Sequence, residues 1–246
     1  MTRHDSITQA RIDLTAALRW ASRHGFSEGI CNHFSMVVPG HDDRFLINPQ
    51  GLHWSEITPA DIVMTDATGR IIEGRHPVEP TAFYIHGRIH LGNPTAKVVL
   101  HTHMPYATAL TTLQDGKLEM CTQNAFRYYQ RIGYDEVYNG LVLDNEEGDR
   151  ICRAMGDKPV MFLRNHGVIV AGKTVAQAYD DLYYLERAAM VQVMAMQTGR
   201  PLEIIPTQIL ERTARQMAGE SQQINYHFAA LKRLLDRDEP GWDRLT

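Results

Sequence analysis

Cysteine is scarce in this chain, and the few present are poorly placed to bond to one another. The 246 residues include Cys31, Cys121 and Cys152, an odd number at wide spacing with no C-x-x-C pair. That pattern excludes a disulfide framework and points to a reduced, cytoplasmic compartment. Long apolar runs are missing too. No stretch approaches the roughly 20 apolar residues that span a bilayer, and no apolar segment follows Met1–Ser6 to mark a signal peptide. No block of basic residues stands out, and the formal net charge is -4. Nucleic acid and membrane are therefore not expected partners. The phosphate-cradling loops G-x-G-x-x-G and G-x-x-x-x-G-K-[ST] are absent. What remains is an ordinary globular composition, 43% hydrophobic and 22% charged, able to bury a core without staples.

Residues 6 to 24 carry apolar residues at helical spacing, with Ser6 as the expected N-cap and Gly25 as the stop. A hairpin is expected over 34–38 and 44–47, with Asn48-Pro49-Gln50-Gly51 as a turn. Thr58–Asp61 reads as a short helical turn before strand 62–64, and a further strand is expected at 70–72. Pro80 opens a helix to about Leu91, strand 96–100 follows, and Pro105 opens another helix. Helix 148–156, strands 160–163 and 168–170, a long helix 175–198 capped from Gly172-Lys173-Thr174, and a helical tail from about 207 complete the pattern. No internal repeat, low-complexity segment or linker interrupts it. A single α/β domain over residues 1–246 is the expectation.

Two histidine motifs carry the chemistry. His101-Thr102-His103 closes one apolar run, and Arg164-Asn165-His166-Gly167 ends another. At a strand end, residues i and i+2 point to the same side, so His101 and His103 can converge on one ion. His166 would deliver a third nitrogen. Three protein ligands with an open position is the pattern of a catalytic metal site; two hydrogen-bonded histidines at a strand end is the plainer alternative. Glu79, just before the Pro80 helix, would reach the metal as a fourth ligand or general base if that helix packs back on the strand. It would otherwise serve the helix dipole. His86 and His90 are spaced i, i+4 but lack the H-E-x-x-H pattern and read as core or interface residues. Arg127, with Tyr128, Tyr129 and Tyr134, is suited either to an anionic substrate or to a subunit contact. The polar turns around His33 and Ser35, and around Asn48 and Gly51, line a pocket or the surface.

Together, Asn32-His33-Phe34-Ser35, Phe45–Gly51, the helix leading to Val98–His103, Arg164–Gly167 and Asp181–Glu186 resemble the class II aldolase/adducin family over residues 7 to about 205. The resemblance implies a three-layer α/β/α sandwich with a mostly antiparallel central sheet, and a homotetramer with active sites near subunit interfaces. It also implies a divalent ion, commonly zinc or manganese, on His101, His103 and His166. The catalytic glutamate of the sugar-phosphate aldolases matches Ala82 here, with Glu79 one helical turn earlier. Their phosphate-binding serines match Pro80 and Thr81. Adducin-type domains lack the metal histidines, which this chain keeps. The resulting expectation is a metal-dependent carbon–carbon lyase acting on an unphosphorylated small-molecule carboxylate. Decarboxylation of a hydroxylated aromatic or keto acid leads, retro-aldol cleavage is the alternative, and a non-catalytic adducin-like module is the third reading. Glu79 or a tyrosine, Tyr134 in first place, would supply the proton. His33, Ser35, Asn48, Gly51 and Arg127 would bind substrate.

Overall fold

The computed structural model describes residues 3–218 and 221–245. Helix α1 (Arg3–Arg23) leads into strands β1 (His33–Val37), β2 (Arg44–Ile47), β3 (Val63–Asp66) and β4 (Ile71–Glu73). Helix α2 (Pro80–Ala82), a π-helical segment (Phe83–Gly87) and α3 (Arg88–Gly92) run on without a break, and a turn leads from them into β5 (Val98–Thr102). Then come α4 (Pro105–Thr111), α5 (Gln123–Phe126), β6 (Ile132–Asp135), α6 (Asn145–Met155), β7 (Val160–Leu163) and β8 (Gly167–Gly172). Helices α7 (Val175–Met196), α8 (Thr207–Ala218) and α9 (Ser221–Asp238) follow. The strands form one sheet in the order β4-β3-β2-β1-β5-β8-β7-β6. Its pairs are antiparallel except β6 with β7, which is parallel.

Register decides which side chains share a face. His33 pairs with His101 and Ser35 with Val99, and across the next pair His101 meets Ile169. These residues lie on one side of the sheet, because cross-strand partners share a face and strands alternate with period two. On that side Val99, Met161 and Ile169 bury against Ile85 and Ile89 of the α2–α3 helix and Ile151 and Met155 of α6. On the other side Phe34, Leu100, Val168 and Phe162 pack against Leu14 and Leu18 of α1, Ala107 and Leu110 of α4, Leu182 and Leu185 of α7, and Leu231 and Leu235 of α9. Helices thus cover both faces of a mixed sheet, the expected three-layer α/β/α sandwich. No described helix is long and apolar enough to cross a membrane.

Several boundaries differ from the sequence reading. Helix α1 is already formed at Arg3, so Ser6 lies inside it and is not its cap. Strand β5 begins at Val98 because Ala96 is held in a turn, its N–H bonding to Asn93 and its carbonyl accepting from His90 Nδ1 at 2.6 Å. Thr58–Asp61 is a turn closed by side chains: Thr58 N–H and Oγ1–H both donate to Asp61 Oδ2, at 2.9 and 2.7 Å. Helix α5 and strand β6 had no clear signal. Strand β6 is a short sheet edge, interrupted by Gly133 and half-buried along most of its length, so its residues lack clean alternation. The tail is two helices, on either side of residues 219–220, which lie outside the described residues. The cap expected at Thr174 is present, its hydroxyl accepting from Gln177 N–H at 3.1 Å.

Candidate metal centre

His101 sits in β5, buried, and His103 lies just past its end. His166 occupies the turn between β7 and β8, where Asn165 takes φ +53° and His166 N–H bonds to Leu163 O at 3.1 Å. One potential ligand atom from each histidine lies within 4.8 Å of the other two. The rings come this close because residue 167 is glycine. A Cβ there would stand 2.5 Å from Thr102 O and 2.7 Å from His103 Cδ2.

Hydrogen bonds assign the free nitrogens. His101 Nδ1–H donates to Val168 O at 3.0 Å, which leaves Nε2 with its lone pair. His103 Nδ1 is held by the Glu28 carboxylate, and its Nε2 is buried without a partner. Burial and the neighbouring rings push His101 well below the ordinary imidazole range, and burial first, then His103, lowers His166 to about 4. At neutral pH these rings are unprotonated, the form that binds metal. A buried lone pair facing two other imidazoles fits a divalent cation and is costly without one.

Beside this triad, His33 lies next to His101 in register, and their rings stack at a centroid distance of 5.9 Å. His33 Nε2 bonds to the Glu79 carboxylate, which also accepts from Thr81 Oγ1 at 2.5 Å. The His33 bond outweighs burial and holds Glu79 at about 2. Glu79 is thus ionised. It stands outside the three-histidine group and is linked to it through His33.

A family model described as the Class II Aldolase and Adducin N-terminal domain matches residues 12–193. The chain belongs to this family. Among solved structures, an aldolase II superfamily protein from Pseudomonas syringae superimposes with a TM-score of 0.90 at 33% identity, covering 98% of this chain and 96% of that one. A Caulobacter vibrioides protein named as a class 2 aldolase is 32% identical over 237 residues, 95% of this chain and 91% of its own length. A Streptomyces niveus protein named as a decarboxylase is 32% identical over 223 residues, 88% of this chain and 82% of its own. Class II aldolases use a divalent metal, and the histidine cluster of this family member has the chemistry to hold one.

The other residues singled out in the sequence are dispersed. Ser35 is fully buried, its Oγ between His86 Nδ1 at 2.6 Å and His90 Nε2 at 2.8 Å, so it faces the core of the helical layer and not a ligand. His86 and His90 are buried core residues, as their spacing without H-E-x-x-H suggested. Asn48 is also buried. Its Oδ1 accepts from Phe34 N–H at 2.8 Å and its Nδ2 donates to Asn32 O at 3.4 Å, which pins the approach to β1. Gly51 is an exposed turn residue with φ +90°. Arg127 is bound to Asp180 at 2.9 Å and lies over the Tyr184 ring at 3.9 Å. It lines a cavity of about 870 Å³ with Arg131, Lys173 and Arg215, away from the three histidines.

Tyr134 pairs in register with Phe162, on the sheet face opposite His101. Its hydroxyl accepts from Leu118 N–H at 3.2 Å, and burial pushes its pKa up to about 12. Strand alternation therefore removes it from the site of its own chain. The tyrosine that does approach is Tyr138, in the loop after β6, with its ring 6.4 Å from His166. Glu28, Asn32 and Tyr138 were not recognised as site residues from sequence. Asn32 sits inside the quoted Asn32–Ser35 motif, but the other two carry no local signal.

Proposed function

We propose that this chain is a divalent-metal-dependent carbon–carbon lyase, and more specifically a decarboxylase of a small hydroxylated aromatic or keto carboxylic acid. The observation that carries the reading is the unpartnered, buried His103 Nε2 inside a three-imidazole group whose ligand atoms lie within 4.8 Å. His101, His103 and His166 would hold the cation, zinc or manganese by the family's habit. When bound, the cation supplies a Lewis acid for the negative charge that develops as the carbon–carbon bond breaks.

The chain's own groups do the rest. As CO2 leaves, the bonding electron pair stays on the substrate carbon as an enolate, which must take up a proton. The Glu79–His33 pair holds a proton between a carboxylate oxygen and Nε2 beside the triad, and we assign it the delivery of that proton. The half-buried Glu79 and the ring of Tyr138 border the approach to the histidines.

Two observations favour decarboxylation over sugar-phosphate aldol cleavage. Ala82, which stands where those aldolases have their glutamate, is fully buried, and Ser35 is occupied by two core histidines. The decarboxylase name of the Streptomyces niveus relative supports the same choice. We propose a homotetramer on the resemblance alone, to be checked by light scattering. Purified protein reconstituted with Mn2+ or Zn2+ is expected to release CO2 from an ortho-hydroxy carboxylate. Aldehyde without CO2 would establish aldol cleavage instead. Carefully prepared protein that takes up no divalent ion would leave the non-catalytic, adducin-like reading.

A further inference from the structure

We infer that Glu28 is a positioning residue that sets the metal affinity of the centre through His103. The inference rests on the reading of His101, His103 and His166 as metal ligands, and it concerns how unequally those ligands are supported.

His101 lies within β5 and donates Nδ1–H to a neutral backbone carbonyl, that of Val168. His166 is fixed by its turn between two paired strands. His103 has neither support, since β5 ends at Thr102. It is gripped from outside the sheet by the segment between α1 and β1. There Glu28 and Cys31 close a small antiparallel bridge, Cys31 N–H bonding to Glu28 O at 2.9 Å, with Gly29 at φ +58° inside it. The next residue, Asn32, takes φ +74°, and its Oδ1 accepts the backbone N–H of His103 at 3.3 Å. Asn48 secures Asn32 in turn. The loop thus holds His103 at two points, the main chain through Asn32 and the ring through Glu28.

The ring contact has an electronic consequence. A carboxylate can only accept, so Nδ1 of His103 carries the proton and Nε2 presents its lone pair, the atom left buried and unpartnered. The negative partner also makes the imidazole a stronger donor and offsets part of the dipositive charge of an ion. The Glu28 side chain is 64% exposed, so the fold does not need it for packing. An exposed acid in a built turn, aimed at the ligand that lies just past the end of β5, is explained by the contact with His103.

The test is a metal-binding titration, by chelator competition with Zn2+ and Mn2+, on wild type, Glu28→Gln, Glu28→Asp and Arg70→Gln. Arg70 is an exposed residue elsewhere, 80% exposed at its side chain. Glu28→Gln is expected to weaken binding about 10–100-fold, the range for loss of an outer carboxylate partner. Glu28→Asp should recover part of the loss and Arg70→Gln should bind as wild type, with all four unfolding at closely similar denaturant concentrations. In the metal-free protein, 15N spectra should show His103 moving from a single Nδ1–H tautomer toward a mixture in Glu28→Gln. Wild-type affinity in Glu28→Gln would overturn the inference while leaving the metal centre intact. A wild type that binds no ion would instead overturn the metal reading itself.

Discussion

His33 and His101 face each other across β1 and β5, one bonded to Glu79 and the other to the carbonyl of Val168, with their rings stacked at 5.9 Å. Neither residue could move to the other side of the sheet without a one-residue slip of its strand, which would exchange the side chains packed into its two buried faces. The pairing joins the residue bonded to Glu79 to one of the three clustered histidines.

Replacing His103 by Ala is expected to empty the centre. Metal content per chain, measured on protein dialysed against a trace of ion, should fall toward zero. Turnover should drop by more than the roughly 100-fold that loss of an outer partner causes. The unfolding midpoint in the absence of metal should hold, because the ring of His103 is only partly buried. Retained turnover would mean that the ion plays no chemical part.

Glu79→Gln should leave metal content unchanged and lower kcat by about 100- to 10,000-fold, the usual worth of a placed acid–base group. Glutamine preserves the shape and can still accept from Thr81, so a collapse of the fold is not expected. A kcat within twofold of wild type would remove Glu79 from the proton path.

Gly167→Ala should damage stability and metal affinity together. The new methyl would lie 2.5 Å from Thr102 O, a backbone atom with little freedom to yield. Overpacking of this kind costs about 1–3 kcal/mol, readable by urea unfolding. Gly51→Ala is the contrast: φ is +90° but nothing stands within 4 Å, so stability should fall by about 1 kcal/mol with metal affinity untouched. Equal metal affinities in the two variants would show that the close approach at residue 167 does not shape the centre.

Tyr134→Phe should cost about 1 kcal/mol, since Leu118 N–H loses its acceptor, and should leave turnover near wild type. Tyr138→Ala should lower turnover, because its ring is the one beside His166. The opposite pattern in steady-state assays would restore a catalytic role to Tyr134, supplied by a neighbouring subunit.

Acid should destabilise the fold through His24. Its Nδ1 pairs with Tyr179 Oη at 2.9 Å, and burial, followed by His227, Arg187 and Arg23, lowers its pKa to about 4 from 6.5. Between those values the unfolded chain takes up a proton that the folded chain refuses. This contribution to stability is therefore whole above pH 6.5 and is lost as pH falls toward 4, by an amount of order 2–3 kcal/mol. Urea unfolding at pH 7, 5.5 and 4.5 should show a flatter dependence in His24→Phe than in wild type; parallel curves would refute the assignment.

Strand and helix periodicity, the helix-opening prolines, the turn glycines and the two histidine motifs were legible in the residues themselves, because each depends on chemistry within a few positions of chain. They were enough for a single α/β domain, most element positions and the three metal-ligand candidates, while the three-layer arrangement was implied by the family resemblance. What only the tertiary structure decided was which side of the sheet each polar residue faces and which distant loop it meets. Ser35 and His33 are two apart in β1, yet Ser35 is consumed by core histidines while His33 meets Glu79. Tyr134 went to the far face by strand parity, and Arg127 to a separate cavity. Glu28 reaches His103 across 75 positions of sequence. Such contacts are set by register and by how a long chain closes on itself, and no local pattern of residues encodes them.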